Sequence, residues 1–290
     1  MNVAASFQIF LGRIQPTDAE VTSARQHAAV IRTRLGTSFN LKKFIIAGSY
    51  SRGTSVHGSS DIDLFAVLSR EEARWGGSYV SSTTMLDNVR HDLESRFPYT
   101  TVFRDVHAIV AQFGTTRVDV VPAIFWGMNE KKWPLYQMPD GAGAWMQTSP
   151  PTHNAYIRHA DLRSGGKLRR TAQLLKSWRE CRTPRVPLSS FHIEMLLASG
   201  RICEGIKSYA ACVTETLQLL AARECQALRD PLGIAGNIGA TRSYLQRETA
   251  LRSIAYSRDH AKDALRAESL ADIREAKRQW DIVFNGQFPW

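Results

Sequence analysis

Two aspartates stand inside an otherwise apolar stretch of the sequence, Asp61-Ile-Asp-Leu-Phe-Ala-Val-Leu68, and they restrict the fold more than any other feature. A run of β-branched and aromatic residues of this length is typical of a buried strand. In a strand, residues i and i+2 point to the same face. We therefore expect Asp61 and Asp63 to lie side by side, with Ile62 and Leu64 directed into the core. Buried carboxylates are costly unless something pairs with them.

A second apolar segment carries a third aspartate. In Thr116-Arg-Val-Asp-Val-Val-Pro122, valines alternate with Asp119, which predicts a strand with this carboxylate on one face. If the two strands pair, Asp119 converges with Asp61 and Asp63, and the like charges repel one another unless a cation balances them. Mg²⁺ prefers oxygen ligands, and two such ions can assist a phosphoryl transfer. The sequence thus predicts a site for two Mg²⁺ ions, which Mn²⁺ could replace.

A Gly-Ser turn precedes the first aspartate strand. The apolar run that ends at Ala47 breaks at Gly48-Ser49, where glycine lets the backbone turn tightly and approach a ligand. Successive N–H groups in such a turn can bind phosphate oxygens, and the Ser49 hydroxyl adds a donor. Acid pairs on edge strands and Gly-Ser turns are each common, and structural ion-pair networks also cluster acids. Their combination with a third aspartate favours a nucleotide site over a purely structural explanation.

Composition limits the class of protein. With 290 residues, 43% of them hydrophobic, the chain is too apolar to be disordered, and its apolar runs fall far short of the roughly 20 residues of a membrane span. The net charge of +10 favours polyanionic partners, although a soluble surface with a basic bias explains the charge equally well. The apolar N-terminus lacks a basic leader segment, so we expect a cytoplasmic protein. We also expect four reduced, mostly buried cysteines, which are Cys181, Cys203, Cys212 and Cys225.

The pattern of elements changes along the chain. Thr17 and Glu20 form a capping box that predicts the start of a helix. Further on, we expect a helix at about 83–96, strands within 100–112 and, because of its Pro, Gly and Trp content, a long ordered loop at 126–155. Beyond this loop the periodicity is almost entirely helical.

These motifs resemble a known superfamily. Gly-Ser, a spacer, Asp-x-Asp and a later aspartate form the signature of the nucleotidyltransferases typified by DNA polymerase β, and the match here comprises Gly48, Ser49, Asp61, Asp63 and Asp119.

The helical half narrows the resemblance. Segments Leu174–Trp178 and Leu188–Glu194, then Asp230-Pro231 and Asn237, follow the order seen in the CD-NTases of bacterial anti-phage (CBASS-type) signalling. The resemblance implies an α+β fold, in which a polymerase β-like nucleotidyltransferase lobe with a mixed sheet and helices is separated by a cleft from a C-terminal helical lobe. We place the catalytic core at residues 1–155, with its N-terminal helix packing on the helical lobe, and the helical lobe at residues 156–290.

The resemblance also implies residue roles. The three aspartates would hold two Mg²⁺ ions, Asp119 would help to activate the attacking hydroxyl, and the Gly-Ser turn would hold the donor's β and γ phosphates. Lys176 would contact the triphosphate with Ser190 beside it, Phe191 would stack on a base, and Arg52 would reach a phosphate. By residue type alone, Lys176 could instead be a solvated surface lysine, Ser190 a helix N-cap, Phe191 a core residue and Arg52 a brace for the turn.

The implied activity is the condensation of ribonucleoside triphosphates, ATP among them, into a cyclic di- or trinucleotide with release of pyrophosphate. A nucleotidyltransferase with another acceptor (an RNA 3′ end, a small molecule or a protein) stays open as an alternative, and so does a protein that only binds nucleic acid. Some members of the family need an activating partner protein. No zinc-ligand cluster of the animal DNA-sensor type is visible, so we expect no dependence on DNA. We expect the tail Gly286–Trp290 to pack on the helical lobe.

Overall fold

A computed structural model describes residues 2–58 and 61–290 of the chain. The strands in this part of the chain are β1 (Leu41–Ile46), β2 (Ile62–Leu68), β3 (Arg74–Trp75), β4 (Ser78–Tyr79), β5 (Thr101–Asp105), β6 (Ala108–Phe113), β7 (Thr116–Met128), β8 (Pro134–Pro139), β9 (Trp145–Thr148), β10 (Leu228–Arg229) and β11 (Asn237–Ile238). The helices are α1 (Val3–Arg13), α2 (Asp18–Ser38), α3 (Gly48–Arg52), α4 (Ser82–Arg96), α5 (Pro150–Arg163), α6 (Lys167–Cys181), α7 (Ser190–Ser199), α8 (Tyr209–Ala222), α9 (Tyr244–Ser269) and α10 (Ile273–Val283).

The main sheet is mixed, as the resemblance implies. Its order is β1-β2-β7-β6-β5, and β8 and β9 extend it from the second half of β7. β2 and β7 run parallel, while every other pair of this sheet is antiparallel. Pro122 is tolerated in the middle of β7 because it falls between residues 116–120, which pair with β6, and residues 124–128, which pair with β8. Its missing N–H is therefore not required by an antiparallel neighbour.

Two large apolar cores organise the chain. One core lies between the sheet and helices α2 and α4, and it contains Ile62 and Leu64, which are fully buried as predicted. Val118 and Val120 of β7 are also fully buried in this core, so the aspartates that alternate with these residues lie on the opposite face of the sheet. The second core belongs to the helical half.

The first helix belongs to the helical core. Phe7 and Phe10 of α1 are buried and contact Trp280, Phe284 and Phe288 in an aromatic cluster. The ring centroids lie 4.7–6.2 Å apart in five pairs, which are Phe7–Trp280, Phe7–Phe284, Phe7–Phe288, Phe10–Phe284 and Phe10–Phe288. The apolar N-terminal stretch is thus explained by packing. The expected packing of the tail is seen at Phe288, which is 2% exposed, whereas Trp290 is 56% exposed.

Several local predictions can now be compared with the structure. The Thr17–Glu20 capping box is present, and the strand region 100–112 forms the hairpin β5–β6. The predicted loop at 126–155 is wrong, because it contains the end of β7, the hairpin β8–β9 and the start of α5. Proline at the first and last positions of β8 gave this segment the composition of a loop.

The predicted boundary between residues 155 and 156 lies inside α5, which is continuous across it, and the two-domain division stays a prediction. All four cysteines are free, and three of them are buried. None of the helices in the described part of the chain is both long enough and apolar enough to span a membrane.

Candidate active site

One cleft of about 900 Å³ receives every site residue that the sequence singled out. The predicted residues among those that line it are Gly48, Ser49, Arg52, Asp61, Asp63, Asp119, Lys176, Ser190 and Phe191. The sheet, with the three aspartates, forms one wall, and α3, α5, α6, α7 and the segment between β11 and α9 form the other. A volume of this size accommodates nucleotide-sized ligands.

The three aspartates meet because β2 and β7 run parallel and in register. Asp63 pairs with Asp119 across the two strands, and Asp61 lies one residue before β2. Burial raises the pKa of Asp63 to about 6, and the charges of Asp119 and Asp61 push it in the same direction. The Asp61 side chain is half exposed, and its partial desolvation and the charge of Asp119 raise its pKa as well. This wall of the cleft therefore carries more negative charge than its own cations balance.

An arginine neutralises part of this charge. Arg117 Nε lies 2.7 Å from Asp119 Oδ1, and Arg117 Nη2 lies 3.1 Å from Asp119 Oδ2. The same Nη2 lies 2.8 Å from Asp105 Oδ2, and Arg117 Nε lies 3.8 Å from Asp61 Oδ2. Within residues 2–58 and 61–290, no three acidic, histidine or cysteine side chains are arranged closely enough to hold a metal ion as they stand.

The donor chemistry nevertheless fits Mg²⁺. Three carboxylates face one cleft, where desolvation first and their mutual repulsion second raise the pKa of Asp61 and Asp63. Carboxylate oxygens are the ligands that Mg²⁺ prefers, and a divalent cation would remove this repulsion. Full ligation by Asp119 requires Arg117 to give up at least one oxygen of this carboxylate.

The Gly-Ser turn is glycine-dependent for two reasons. Gly48 has a φ of +61°, which favours glycine, and a Cβ at this position would overlap the carboxylate of Asp63. Ala47 donates its N–H to the backbone oxygen of Asp63 at 2.8 Å, so the turn is fixed to β2. The absence of a side chain at Gly48 is what lets the turn and the acidic strand lie against each other.

The turn is held from behind by a buried ion cluster, which we call the Glu194 cluster and which comprises Arg52, Thr54, Asn154, Lys176 and Glu194. Glu194 pairs with Arg52 through one oxygen, and its other oxygen lies 2.6 Å from Lys176 Nζ and accepts a 2.7 Å hydrogen bond from Thr54. Arg52 also donates to Asn154 at 2.9 Å, and Lys176 donates to Thr54 at 2.9 Å. The cluster joins α3 and the following turn to α5, α6 and α7.

The Glu194 cluster carries one negative and two positive charges. Burial alone would raise the pKa of Glu194, but Arg52 and Lys176 outweigh it and lower this pKa to about 2. Burial lowers the pKa of Lys176, and the neighbouring charge of Arg52 adds to this effect, although Glu194 opposes it. One anion shared by two cations leaves an excess of positive charge next to the Gly-Ser turn. An anionic ligand would balance it.

The structure separates the alternatives that the sequence left open. Lys176 is 3% exposed, so it is not a solvated surface lysine. Arg52 braces the turn through the Glu194 cluster and lies 5.7 Å from the centroid of the Phe191 ring. Phe191 packs against the helical core and also lines the cleft. The N-cap of α7 is Ser189, and Ser190 is the first residue of the helix, so the interpretation of Ser190 as an N-cap is wrong.

Reasoning from sequence did not identify Glu194, Thr54, Asn154, Arg117 or Asp105 as parts of this site. For the Glu194 cluster, the available signal was the charged residue Glu194 in the middle of an apolar helix. Arg117 could have been recognised because it lies two residues before Asp119 in a strand and so shares its face.

A mixed-sheet lobe that presents three aspartates to a glycine turn, with helices across the cleft, defines a nucleotidyltransferase fold of the DNA polymerase β type. Residues 1–160 match the Second Messenger Oligonucleotide or Dinucleotide Synthetase (SMODS) domain, and the chain belongs to this family.

Known relatives agree with this assignment. The chain is 26% identical over 168 residues to the cyclic AMP-AMP-AMP synthase of Escherichia coli MS 115-1, a match that spans 55% of this chain and 50% of that relative. It is 22% identical over 279 residues to a probable cyclic nucleotide synthase of Bacillus cereus VD146, which covers 86% of this chain and 82% of that one.

Solved structures show the same fold. The E. coli MS115-1 CdnC structure with ATP has a TM-score of 0.76 at 18% identity and covers 100% of this chain and 99% of its own. The structure of the Bradyrhizobium diazoefficiens CD-NTase CdnG with GTP has a TM-score of 0.69 at 14% identity. The match covers 97% of this chain and 98% of CdnG. Together with the SMODS match over residues 1–160, this confirms the resemblance to the CD-NTases.

Proposed function

We propose that the protein is a nucleotidyltransferase that condenses ribonucleoside triphosphates into a cyclic di- or trinucleotide second messenger, releasing pyrophosphate, in anti-phage signalling. The observation that carries the proposal is the opposite charge imbalance of the two walls of the cleft. The aspartate wall, which carries Asp61, Asp63 and Asp119, lacks positive charge. The wall that carries the Glu194 cluster lacks negative charge. A nucleoside triphosphate with its divalent cations would satisfy both walls at once.

The aspartate wall would hold the cations. Asp61, Asp63 and Asp119 would ligate two Mg²⁺ ions, or Mn²⁺ in their place, and when bound these ions would neutralise phosphate charge during transfer. Asp119 would accept the proton of the attacking ribose hydroxyl. The aspartates of β2 and β7 can act together because strand pairing fixes their spacing.

The other wall would hold the nucleotides. The N–H groups at the start of the Gly48-Ser49 turn and the Ser49 hydroxyl would donate to the β and γ phosphates, because the first N–H groups of a helical turn lack acceptors within it. Lys176 would supply positive charge behind the phosphates, Ser190 would add a hydroxyl, and Phe191 would stack on a base. Arg52 would act by fixing the turn.

The relatives suggest the substrates and a partner. The structure of E. coli CdnC was solved with ATP, and that of Bradyrhizobium CdnG with GTP. Both nucleotides are therefore candidate substrates for this chain, and ATP is the first choice. The E. coli protein was also solved in complex with HORMA-deltaN, which supports an activating partner protein for this chain as well. Ribonucleoside triphosphates are cytoplasmic substrates, and a cytoplasmic location belongs with this proposal.

The test is product analysis. Purified protein is incubated with Mg²⁺ and the four ribonucleoside triphosphates, and the products are treated with phosphatase and resolved by mass spectrometry. Phosphatase-resistant rings are expected from the wild type and from the control Glu130→Ala, which removes an exposed acidic side chain outside the cleft. Asp61→Ala combined with Asp63→Ala should yield none. Only tailed RNA or a nucleotidylated acceptor as product, or full turnover by the double variant, would refute the proposal.

A further inference from the structure

Arg117 lies among the acidic residues of the cleft, although the proposed reaction gives it no role. It precedes Asp119 by two residues on β7, so both side chains leave the same face of the sheet. The guanidinium contacts both oxygens of Asp119, at 2.7 and 3.1 Å. These are the oxygens that a divalent cation would need. A guanidinium stays protonated in proteins, so its positive charge opposes a cation at these oxygens until it moves away.

Asp105 offers the same guanidinium a second place. This residue ends β5, two strands away from β7 in the sheet, and its Oδ2 lies 2.8 Å from Arg117 Nη2. Its other oxygen lies 3.1 Å from Nη1 of Arg242, which comes from the segment before α9 in the helical half. Asp105 is therefore held in position from across the cleft and can retain Arg117 after the contact with Asp119 is lost.

We propose that Arg117 is a tethered counter-cation, which occupies Asp119 in the metal-free protein and withdraws to Asp105 when a divalent cation binds. The inference rests on the proposed function, because it requires Asp119 to be a metal ligand. Arg117 and Asp105 are positioning residues in this scheme. They set how tightly the metal is held, and they do so in opposite directions.

The opposite directions follow from the contacts. Without Arg117, the metal no longer competes for the oxygens of Asp119, so binding should become tighter. Without the charge of Asp105, a displaced Arg117 loses its second partner, so displacement costs more and binding should weaken. When Arg117 is absent, the charge of Asp105 has little left to act through. The effects of the two substitutions should therefore be strongly non-additive.

The experiment measures Mn²⁺ binding to the full chain, without nucleotide, from the electron paramagnetic resonance signal of free Mn²⁺. The variants are Arg117→Met, Asp105→Asn, the double variant and the control Arg104→Met, whose side chain lies outside the cleft and donates to the backbone of Gly141. Arg117→Met should lower the Kd about fivefold, the order expected for a partly exposed ion pair. Asp105→Asn alone should raise the Kd for Mn²⁺ about fivefold, whereas in the Arg117→Met background it should change the Kd less than about twofold.

Thermal unfolding supplies a second measurement that does not depend on turnover. In EDTA, Arg117→Met should melt below the wild type because its carboxylates have lost a cation, and Mn²⁺ should raise its Tm by more than it raises that of the wild type. An unchanged or higher Kd for Arg117→Met, or an effect of Asp105→Asn that persists without Arg117, overturns the inference. A wild type that binds no Mn²⁺ at all instead removes the metal site on which the proposed function depends.

Discussion

Replacing Asp63 by Asn should stabilise the metal-free protein while abolishing nucleotidyl transfer. Burial and the neighbouring Asp119 and Asp61 raise the pKa of Asp63 from 3.8 to about 6. The ionised form is therefore less favourable in the folded chain than in the unfolded one. A shift of roughly two units corresponds to about 3 kcal/mol of unfolding free energy. This cost is fully present above pH 6, shrinks as the pH falls through 6 and is absent below about 4.

The assay is urea unfolding in EDTA at pH 8 and at pH 4. We expect Asp63→Asn to exceed the wild type by up to about 3 kcal/mol at pH 8 and to match it at pH 4. Asp105→Asn is the matched control with the opposite sign, because hydrogen bonds from Arg117 and Arg242 outweigh burial and lower the pKa of Asp105. It should lose stability at pH 8. Equal stability of Asp63→Asn and wild type at pH 8, or a gain that persists at pH 4, would refute the reasoning.

Three further predictions concern the Gly-Ser turn, the Glu194 cluster and the aromatic cluster of the helical half. Gly48→Ala should abolish product formation, because its Cβ would overlap the carboxylate of Asp63. The control Gly58→Ala changes a glycine with a similar positive φ and open space around it, so it should lose only about 1 kcal/mol of unfolding free energy and keep its activity. Comparable activity of the two variants would contradict this explanation. Glu194→Gln should lower the unfolding free energy by about 3 kcal/mol at pH 7. This loss should decrease as the pH falls from 4.5 towards 2, because the pKa of Glu194 is about 2 in the folded chain. A loss that does not depend on pH would show that packing, not charge, is responsible. Phe288→Ala should lower the unfolding free energy by about 3–5 kcal/mol, because Phe288 is buried. Trp290 is half exposed, so Trp290→Ala should change the unfolding free energy by less than about 1 kcal/mol. Equal losses in chemical denaturation would mean that Phe288 is not a core residue.

The aspartate wall could be predicted because its signals are local. Alternation along a strand fixes which side chains share a face, and it placed Asp63 and Asp119 opposite Leu64 and Val120 without knowledge of any partner. The pairing of the two strands was a hypothesis at that stage, and the register of β2 and β7 now supports it.

The rest of the site depends on residues that are distant in sequence. Glu194 meets Arg52 across 142 positions and Thr54 across 140, and no periodicity records such a contact. The same holds for Lys176, whose burial follows only from its partner on another helix. The hairpin β8–β9 was missed for a different reason. Proline at the ends of β8 is compatible with a strand, but in a sequence it has the same appearance as a turn.

The aromatic cluster that joins α1 to Phe284 and Phe288 has a consequence for how the chain is made. Phe7 and Phe10 are synthesised before the rest of the helical half, and their partners Trp280, Phe284 and Phe288 follow about 270 positions later. At typical elongation rates this delay lasts on the order of 15 to 50 seconds. Throughout that interval Phe7 and Phe10 lack these three aromatic neighbours. The aromatic cluster can close only after Phe288 has been synthesised, so this part of the helical core is completed late.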